Sequence, residues 1–224
     1  MYGTLQCLEF HLLSDPWYYG DSFHKGWNLL VEQSKEEVER ILRKITHIWI
    51  SHEHPDHFSV RFFLDFKEQI ISNSIQIIFQ NTKDKRVINF LKSQNFNVKE
   101  ITFNKEFHIA EDFKITCIKD GFYDSALYVK TPDKKILNLN DCEINTEKKA
   151  KQIKKICGVC DILLTQFSYA AWKGGKENLS WRINAAEKKI DSIKLQIEIF
   201  KPKILIPFAS YIFFSNLKNY YLND

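Results

Sequence analysis

The pattern of apolar and polar residues predicts strands at both ends of the chain. Residues 5–13 mix apolar and polar side chains as a half-buried strand does, and residues 45–51 are rich in β-branched and aromatic residues. Residues 75–79 form a short apolar run typical of a buried strand, and residues 204–207 form another apolar run of strand length. A helix needs roughly 20 apolar residues to span a bilayer. These runs are far shorter, so we expect no membrane span.

Helical patterns separate these strands. Ser34 is a good N-cap, and glutamates follow it where the positive end of a helix dipole favours them, so a helix is predicted from there to about Lys44. Residues 60–71 place phenylalanines and isoleucines near helical spacing. Further helices are predicted at residues 83–93, 146–156 and 181–200.

Short strands separated by polar turns fill the middle of the chain and predict an antiparallel run. They are residues 98–101, 113–118, 126–131 and 135–138, and a further strand is predicted at 161–165. The whole pattern indicates an α/β (α+β) fold in which two mixed β-sheets pack face to face between helices. That arrangement is an αββα sandwich. Without repeats or linkers, we expect a single domain over residues 1–224.

Composition and charge narrow the picture only slightly. The 224 residues are 44% hydrophobic, enough for a substantial core. The net charge of +4 comes from 32 basic and 28 acidic residues spread along the chain, so no nucleic-acid partner is expected. Five cysteines and no secretory pattern favour a reducing cytoplasm. Cys157 and Cys160 have the spacing of a redox pair, but core positions are expected for both.

The candidate chemistry lies directly after the strand at residues 45–51. His52, His54, Asp56 and His57 offer four possible metal ligands within one short run. In extended backbone, residues two apart point to the same side, so His52 and His54 can bind one ion. Asp56 and His57 then face a second point nearby. One or two divalent ions are predicted, with zinc as the first choice and iron or manganese as the alternatives. The alternative is a run of ordinary surface-loop histidines.

This run resembles the HxHxDH signature of the metallo-β-lactamase superfamily, and residues 15–17 and 45–51 extend the resemblance. Residues 137–142 end a strand where that family places a metal-bridging aspartate, which implies that Asp141 is the bridge. More narrowly, residues 49–59, 139–142 and 207–211 resemble the metallo-β-lactamase-like part of CMP-N-acetylneuraminate hydroxylase and its bacterial relatives. Proteins of that type usually also carry a Rieske iron–sulfur domain. The chain has no such set of paired cysteines and histidines.

The sequence departs from the superfamily pattern at two ligands. Residues 121–126 contain no histidine, and Asp124 is the only strong ligand there, so a site of two histidines and a carboxylate closed by Asp141 is predicted. The alternative for Asp124 is a turn cap. Residues 208–210 also lack the last expected histidine. Asp56, His57 and the shared Asp141 would then hold a second ion weakly, so a single ion is the alternative.

Two loops are candidates for substrate binding. Gln166 follows a predicted strand, where loops often line a site, and Trp172 and Lys173 extend that loop. Trp17 and His24 belong to an aromatic loop near the start of the chain. Together these residues could bind a small molecule, with a sugar or phosphate-bearing compound the leading class. An ordinary solvated loop is the alternative.

The first functional hypothesis is a metal-dependent hydrolase. A metal-bound hydroxide would attack an ester, amide, lactone or phosphodiester, with Asp56 and Asp141 as catalytic residues that orient the water. The second is an iron-dependent, sugar-nucleotide hydroxylase-like component that needs electrons from a separate Rieske partner. The third is a non-catalytic scaffold that has lost ligands. Because the resembling family continues beyond residues 219–224, the chain is expected to be naturally short or to lack a C-terminal part.

Overall fold

A computed structural model describes residues 3–7, 10–169 and 171–224, with no side-chain description for residues 3–7. In chain order the elements are β1 (Gly3–Cys7), β2 (Phe10–Ser14), β3 (Trp27–Leu29), α1 (Lys35–Leu42), β4 (His47–Trp49), α2 (Val60–Asp65), α3 (Lys67–Ser72), β5 (Gln76–Gln80), α4 (Arg86–Ser93), β6 (Asn97–Ile101), β7 (Glu106–His108), β8 (Lys114–Lys119), β9 (Ser125–Lys130), β10 (Lys135–Asn138), α5 (Glu147–Cys157), β11 (Ile162–Gln166), α6 (Leu179–Phe200), β12 (Ile204–Phe208), β13 (Ile212–Phe214) and a 3₁₀ turn at Tyr220–Asn223.

The described strands form two mixed sheets and one short ribbon. The first sheet has the order β1-β2-β4-β5-β6, in which β1 is antiparallel to β2 and the other pairs are parallel. The second has the order β12-β11-β10-β9-β8-β7, parallel from β10 to β12 and antiparallel from β7 to β10. The ribbon pairs β13 with β3. The predicted pair of mixed sheets with a central antiparallel run is confirmed.

Alternation along the strands creates three apolar layers. In β5, Ile77 faces the core beneath α1–α4, whereas Ile78 faces the space between the two sheets. Ile48 and Trp49 of β4 divide in the same way. A third core joins the other face of the second sheet to α5 and α6, and it contains the buried Cys157. Helices therefore cover both outer faces of the paired sheets, which is the predicted αββα sandwich.

Two predicted elements are wrong in detail. Residues 5–13 contain two strands, β1 and β2, which pair with each other. The helix predicted at residues 60–71 is two helices, because Phe66 leaves helical geometry at φ −111° and ψ 18°. Phe62 and Ile70, on either side of this break, are both buried in the same core. The apolar spacing was therefore a correct guide to burial but not to helix continuity.

Helix caps and the last strands add further detail. Ser34 caps α1 as predicted, with its Oγ accepting a hydrogen bond from the amide of Glu37 at 3.2 Å.

The edge strand β12 is only partly covered, and Leu205 remains 36% exposed. The sequence pattern gave no signal for β3, β7 or β13, which have three residues each. No helix in the described part of the chain is long and apolar enough to cross a membrane.

Candidate metal centre and its cavity

The predicted ligands meet where several strands end. His52, His54, Asp56 and His57 follow β4, Asp141 follows β10, and Asp124 precedes β9. Parallel strands bring their carboxyl ends to one edge of a sheet, and sites in such folds form in the crevice outside that edge. The face-to-face packing of the two sheets therefore brings together residues that lie far apart in the sequence.

The first group of ligands combines two histidines and two carboxylates. One potential ligand atom from each of His52, His54, Asp124 and Asp141 lies within 4.8 Å of all the others. Nε2 of His52 is 2.8 Å from Nδ1 of His54. The same Nε2 is 3.6 Å from Oδ1 of Asp124 and 3.8 Å from Oδ2 of Asp141. The structure thus brings the residues of the predicted first site together, and their binding of an ion stays a prediction.

Asp141 also faces a second group of ligands. Its Oδ2 is 3.5 Å from Nε2 of His57, and that nitrogen is 3.3 Å from Oδ2 of Asp56. The same carboxylate oxygen of Asp141 therefore lies near both His52 and His57, and its role as a bridge stays a prediction. Ser210, where the superfamily pattern expects another ligand, instead accepts hydrogen bonds from the amides of residues 167 and 168 at 3.1 and 3.2 Å.

The backbone at Asn140 positions the shared carboxylate. Asn140 has φ +40°, in the left-handed region that asparagine tolerates better than most residues. Its Oδ1 accepts a hydrogen bond from the amide of Asp141 at 2.6 Å, and its Nδ2 donates to the carbonyl of Ser125 at 2.8 Å. Asn140 thus ties the loop that carries Asp141 to the strand that follows Asp124.

Asp15 and Ser51 contact the rings of His52 and His57 at Nδ1, on the side away from the other ligands. Oδ2 of the fully buried Asp15 is 3.2 Å from Nδ1 of His57. Oδ1 of Asp15 accepts a hydrogen bond from the amide of Ser51 at 2.7 Å. Oγ of Ser51 is 3.0 Å from Nδ1 of His52 and 3.1 Å from Nδ1 of His57. A partner at Nδ1 fixes ring orientation and leaves Nε2 free for an ion.

Burial and close charges shift the pKa values across the site. Burial and the charge of His57 lower the pKa of His52 to about 4. Burial alone would lower the pKa of His57, but the carboxylates of Asp141, Asp56 and Asp15 raise it well above its ordinary value. Burial and the charge of Asp141 raise the pKa of Asp124 to about 6. Burial opposes ionisation of Asp56 and Asp141 as well, but His57 keeps both pKa values below the ordinary value.

The donor set suits a divalent cation. Among the described residues, one oxygen in each of Asp56, Asp124 and Asp141 is buried without a hydrogen-bond partner. Leaving buried charged oxygens unpaired is costly in free energy, and the negative charge of the three carboxylates exceeds the positive charge of His57. A cation would satisfy the oxygens and offset the excess charge. Imidazole with carboxylate accommodates zinc, iron or manganese.

A cavity of about 1090 Å³ opens beside the ligands. His54, Asp56, Asp124 and Asp141 form part of its wall. Residues from one face of α6 also line the cavity, as do three aromatic side chains, Phe23, Trp27 and Tyr169. The volume is sufficient for a drug-sized or cofactor-sized ligand.

The predicted substrate residues divide between several places. Gln166 and Lys173 line the large cavity. Trp17 is buried and lines a smaller pocket beside His57. His24 is exposed and outside the cavity lining, and Trp172 packs against Trp181 with 59% of its surface exposed. Substrate contact by all five stays a prediction.

The sequence reasoning missed several residues that shape the site. Asp15 entered the sequence analysis only as part of the stretch that resembles the family, yet its carboxylate contacts His57. Lys188 and Lys189 line the cavity from α6 but carry no local motif. No local pattern marks them, because the tertiary fold decides which face of α6 meets the cavity.

The two facing mixed sheets, the helices on their outer faces and the ligand cluster at the strand ends define the class of protein. The chain has the metallo-β-lactamase fold. It superposes on the metallo-β-lactamase fold protein YhfI from Bacillus subtilis with a TM-score of 0.51 and 14% identity, covering 94% of this chain and 89% of that one. It superposes on CmlA, a diiron β-hydroxylase from Streptomyces venezuelae, with a TM-score of 0.66 and 10% identity, covering 93% of this chain and 43% of that one. No protein-family model matches the chain.

In sequence, the chain resembles cytidine monophosphate-N-acetylneuraminic acid hydroxylases, as predicted. It is 27% identical to the Danio rerio protein over an alignment of 244 positions, gaps included, which covers 100% of this chain and 40% of that protein. The Mus musculus protein is 28% identical, with 100% of this chain and 41% of that protein aligned. The chain therefore spans about two fifths of the length of these relatives. The predicted resemblance and fold class are both confirmed.

Proposed function

We propose that the chain is the metal-dependent domain of a hydroxylase that acts on a sugar nucleotide. The convergence of His52, His54, Asp124 and Asp141 within 4.8 Å carries the proposal. Two imidazoles with a carboxylate form a ligand type that non-haem iron uses in oxygenases. The sequence resemblance to sialic acid hydroxylases over 100% of the chain supports both the reaction and the substrate class. Sequence reasoning alone favoured hydrolysis.

Each ligand has a defined part in this proposal. His52, His54, Asp124 and Asp141 would hold one ion, and Asp56, His57 and the shared Asp141 would hold a second. When bound, iron supplies the activation of dioxygen towards a carbon–hydrogen bond. Asp15 and Ser51 fix the histidine rings, since their oxygens lie next to the ring nitrogens that face away from the ligand groups.

The reaction needs a source of electrons. Hydroxylation converts a carbon–hydrogen bond to an alcohol with one oxygen atom of dioxygen. The other atom leaves as water after it takes up two electrons and two protons. Within residues 10–169 and 171–224, the cluster of potential ligands found is the one at this site, and Cys157 and Cys160 are buried in an apolar core. The electrons would therefore come from an iron–sulfur donor outside the described residues, such as a Rieske protein.

An isotope experiment tests the reaction type. The chain is loaded with iron, supplied with a reduced Rieske protein and incubated with CMP-N-acetylneuraminate under oxygen-18 gas. We expect a hydroxylated product that carries one heavy oxygen atom, and no product from His54→Ala under the same conditions. A wild-type chain loaded with iron that forms no labelled product would overturn the proposal.

Hydrolysis is a second candidate because of the unpartnered carboxylate oxygens. Oδ1 of Asp56 and Oδ1 of Asp124 are buried without a hydrogen-bond partner among the described residues. Such oxygens can accept a proton from an attacking water molecule. Oxygen-18 water separates the two candidates, since a hydrolase incorporates the label from water and a hydroxylase incorporates it from dioxygen.

A further inference from the structure

One face of α6 forms a basic wall of the cavity. The lining residues of this helix recur at helical spacing and are Ala185, Lys188, Lys189, Asp191, Ser192, Leu195 and Gln196. The carboxylate of Asp191 is paired with Lys194 at 3.0 Å. Ala185 and Ser192 are small and leave room for a ligand, whereas Lys188 and Lys189 add positive charge. The metal-ligand carboxylates line the same cavity. The cavity lining thus carries both acidic and basic groups.

Lys189 is a half-buried lysine of the cavity lining. It is only partly exposed, and its Nζ donates a hydrogen bond to Oε1 of Gln166. Gln166 lies at the end of β11 and borders the second ligand group as well as the large cavity. Burial lowers the pKa of Lys189, although the charges of Glu143 and Asp141 oppose this effect. The hydrogen-bond partner found for its ammonium group among the described residues is thus a neutral amide, which leaves the positive charge available to an anion.

Lys173 joins this wall from a loop that α6 holds in place. Nη1 of the buried Arg182 donates to the carbonyl of Gly175 at 2.9 Å, and Oη of Tyr221 donates to the carbonyl of Gly174 at 2.8 Å. Lys173 directly precedes these anchored residues and lines the cavity. The salt bridges found within the described residues include neither Lys173 nor Lys189. Both ammonium groups are therefore without a carboxylate partner in that part of the chain.

We propose that Lys189, with Lys188 and Lys173, binds an oxyanion of the substrate, either a phosphate or a carboxylate. A partly buried ammonium group forms stronger, less screened hydrogen bonds to an oxyanion than a surface lysine does. Phe23, Trp27 and Tyr169 in the same lining suit a planar ring attached to that anion. The inference rests on the proposed function only in placing the substrate in this cavity. It makes Lys189 a specificity-determining residue for anionic substrates.

Calorimetry with the full chain, stripped of metal by a chelator and dialysed, tests the inference directly. The probes are cytidine 5′-monophosphate, N-acetylneuraminate and uncharged cytidine. Without metal, an anion cannot bind through an ion, and neither electrons nor catalysis is involved. We expect at least one of the anions to bind about tenfold more tightly than cytidine, with the difference shrinking at high salt. Preference for the phosphate or for the carboxylate identifies which group the wall binds.

Lysine variants locate the effect. We expect Lys189→Met to weaken anion binding about tenfold or more and Lys189→Arg to retain most of it. Lys155→Met is the matched control, because Lys155 is an exposed helical lysine on α5 and is absent from the cavity lining. Equal affinities for anion and cytidine, or an equal loss in both methionine variants, would overturn the inference. If the anion binds through Lys189 but the isotope experiment fails, the hydroxylase proposal is rejected and the anion site stands.

Discussion

Asp15 supports the metal ligands without belonging to them. Its buried carboxylate contacts Nδ1 of His57 at 3.2 Å and accepts the amide of Ser51 at 2.7 Å. Its backbone has φ +47°, a conformation that aspartate and asparagine tolerate. A single side chain therefore fixes both the ring of His57 and the start of the ligand loop.

The variant Asp15→Asn tests this positioning role. Asparagine has nearly the same shape, so we expect the fold to persist. The amide cannot stabilise the His57 ring as a carboxylate does, and metal affinity should fall about 10- to 100-fold. Competition against a chromophoric chelator measures that affinity, with Asp133→Asn on the surface as the control. An unchanged affinity in Asp15→Asn would contradict the role.

The residues of the site differ in how far the sequence could reveal them. His52, His54, Asp56 and His57 lie in one run, so their spacing is enough to predict a site. Asp141 was predicted only through the family resemblance. Lys189 has no motif, because its role depends on the direction of one face of α6 towards the cavity. Contacts that only the tertiary fold creates carry no local signal in the sequence.

At the scale of elements, the cap of α1 gives a local test of helix stability. Oγ of Ser34 accepts the amide of Glu37 at 3.2 Å, and α1 lies on the outer face of the first sheet. Ser34→Ala removes this bond and should lower the free energy of unfolding by about 1 kcal/mol. Urea denaturation measures the change. The metal content should stay the same, because the cap is not among the metal-ligand groups.

The core between the sheets gives a stronger test. Ile78 is fully buried between the two sheets, whereas Ile71 at the end of α3 is 39% exposed. Ile78→Ala should lower the free energy of unfolding by about 2–5 kcal/mol, because it removes buried methyl groups and leaves a cavity. Ile71→Ala is the matched control and should cost much less. Similar losses in the two variants would argue against the described sheet packing.

Long and strongly patterned elements were predictable, and short ones were not. The helix ending at Phe200 and the strand at Lys135–Asn138 follow their apolar spacing and turn signals closely. Strands β3 and β13 have three residues each, and their pairing joins Trp27 to Phe214. Such pairing depends on where the sheets bring the loops, so no local pattern reports it.

At the scale of the whole molecule, the metal should couple the two sheets. The first sheet supplies His52 and His57 through the loop after β4, and the second supplies Asp124 and Asp141. An ion that binds the folded chain stabilises it by about 2.7 kcal/mol at a hundred times its Kd. Chelation should therefore lower the Tm of wild type by roughly 5–10 °C. Asp141→Ala, which has lost the shared ligand, should show little further shift on chelation.

The central claim is that these histidines and aspartates bind metal. The most direct measurement is elemental analysis of protein purified without added metal, with His54→Ala and Asp141→Ala purified in parallel. The account predicts one or two equivalents of metal per wild-type chain, with iron if the hydroxylase proposal holds, and a large loss in both variants. A wild-type chain that binds no metal even after reconstitution would contradict the account and leave the non-catalytic scaffold.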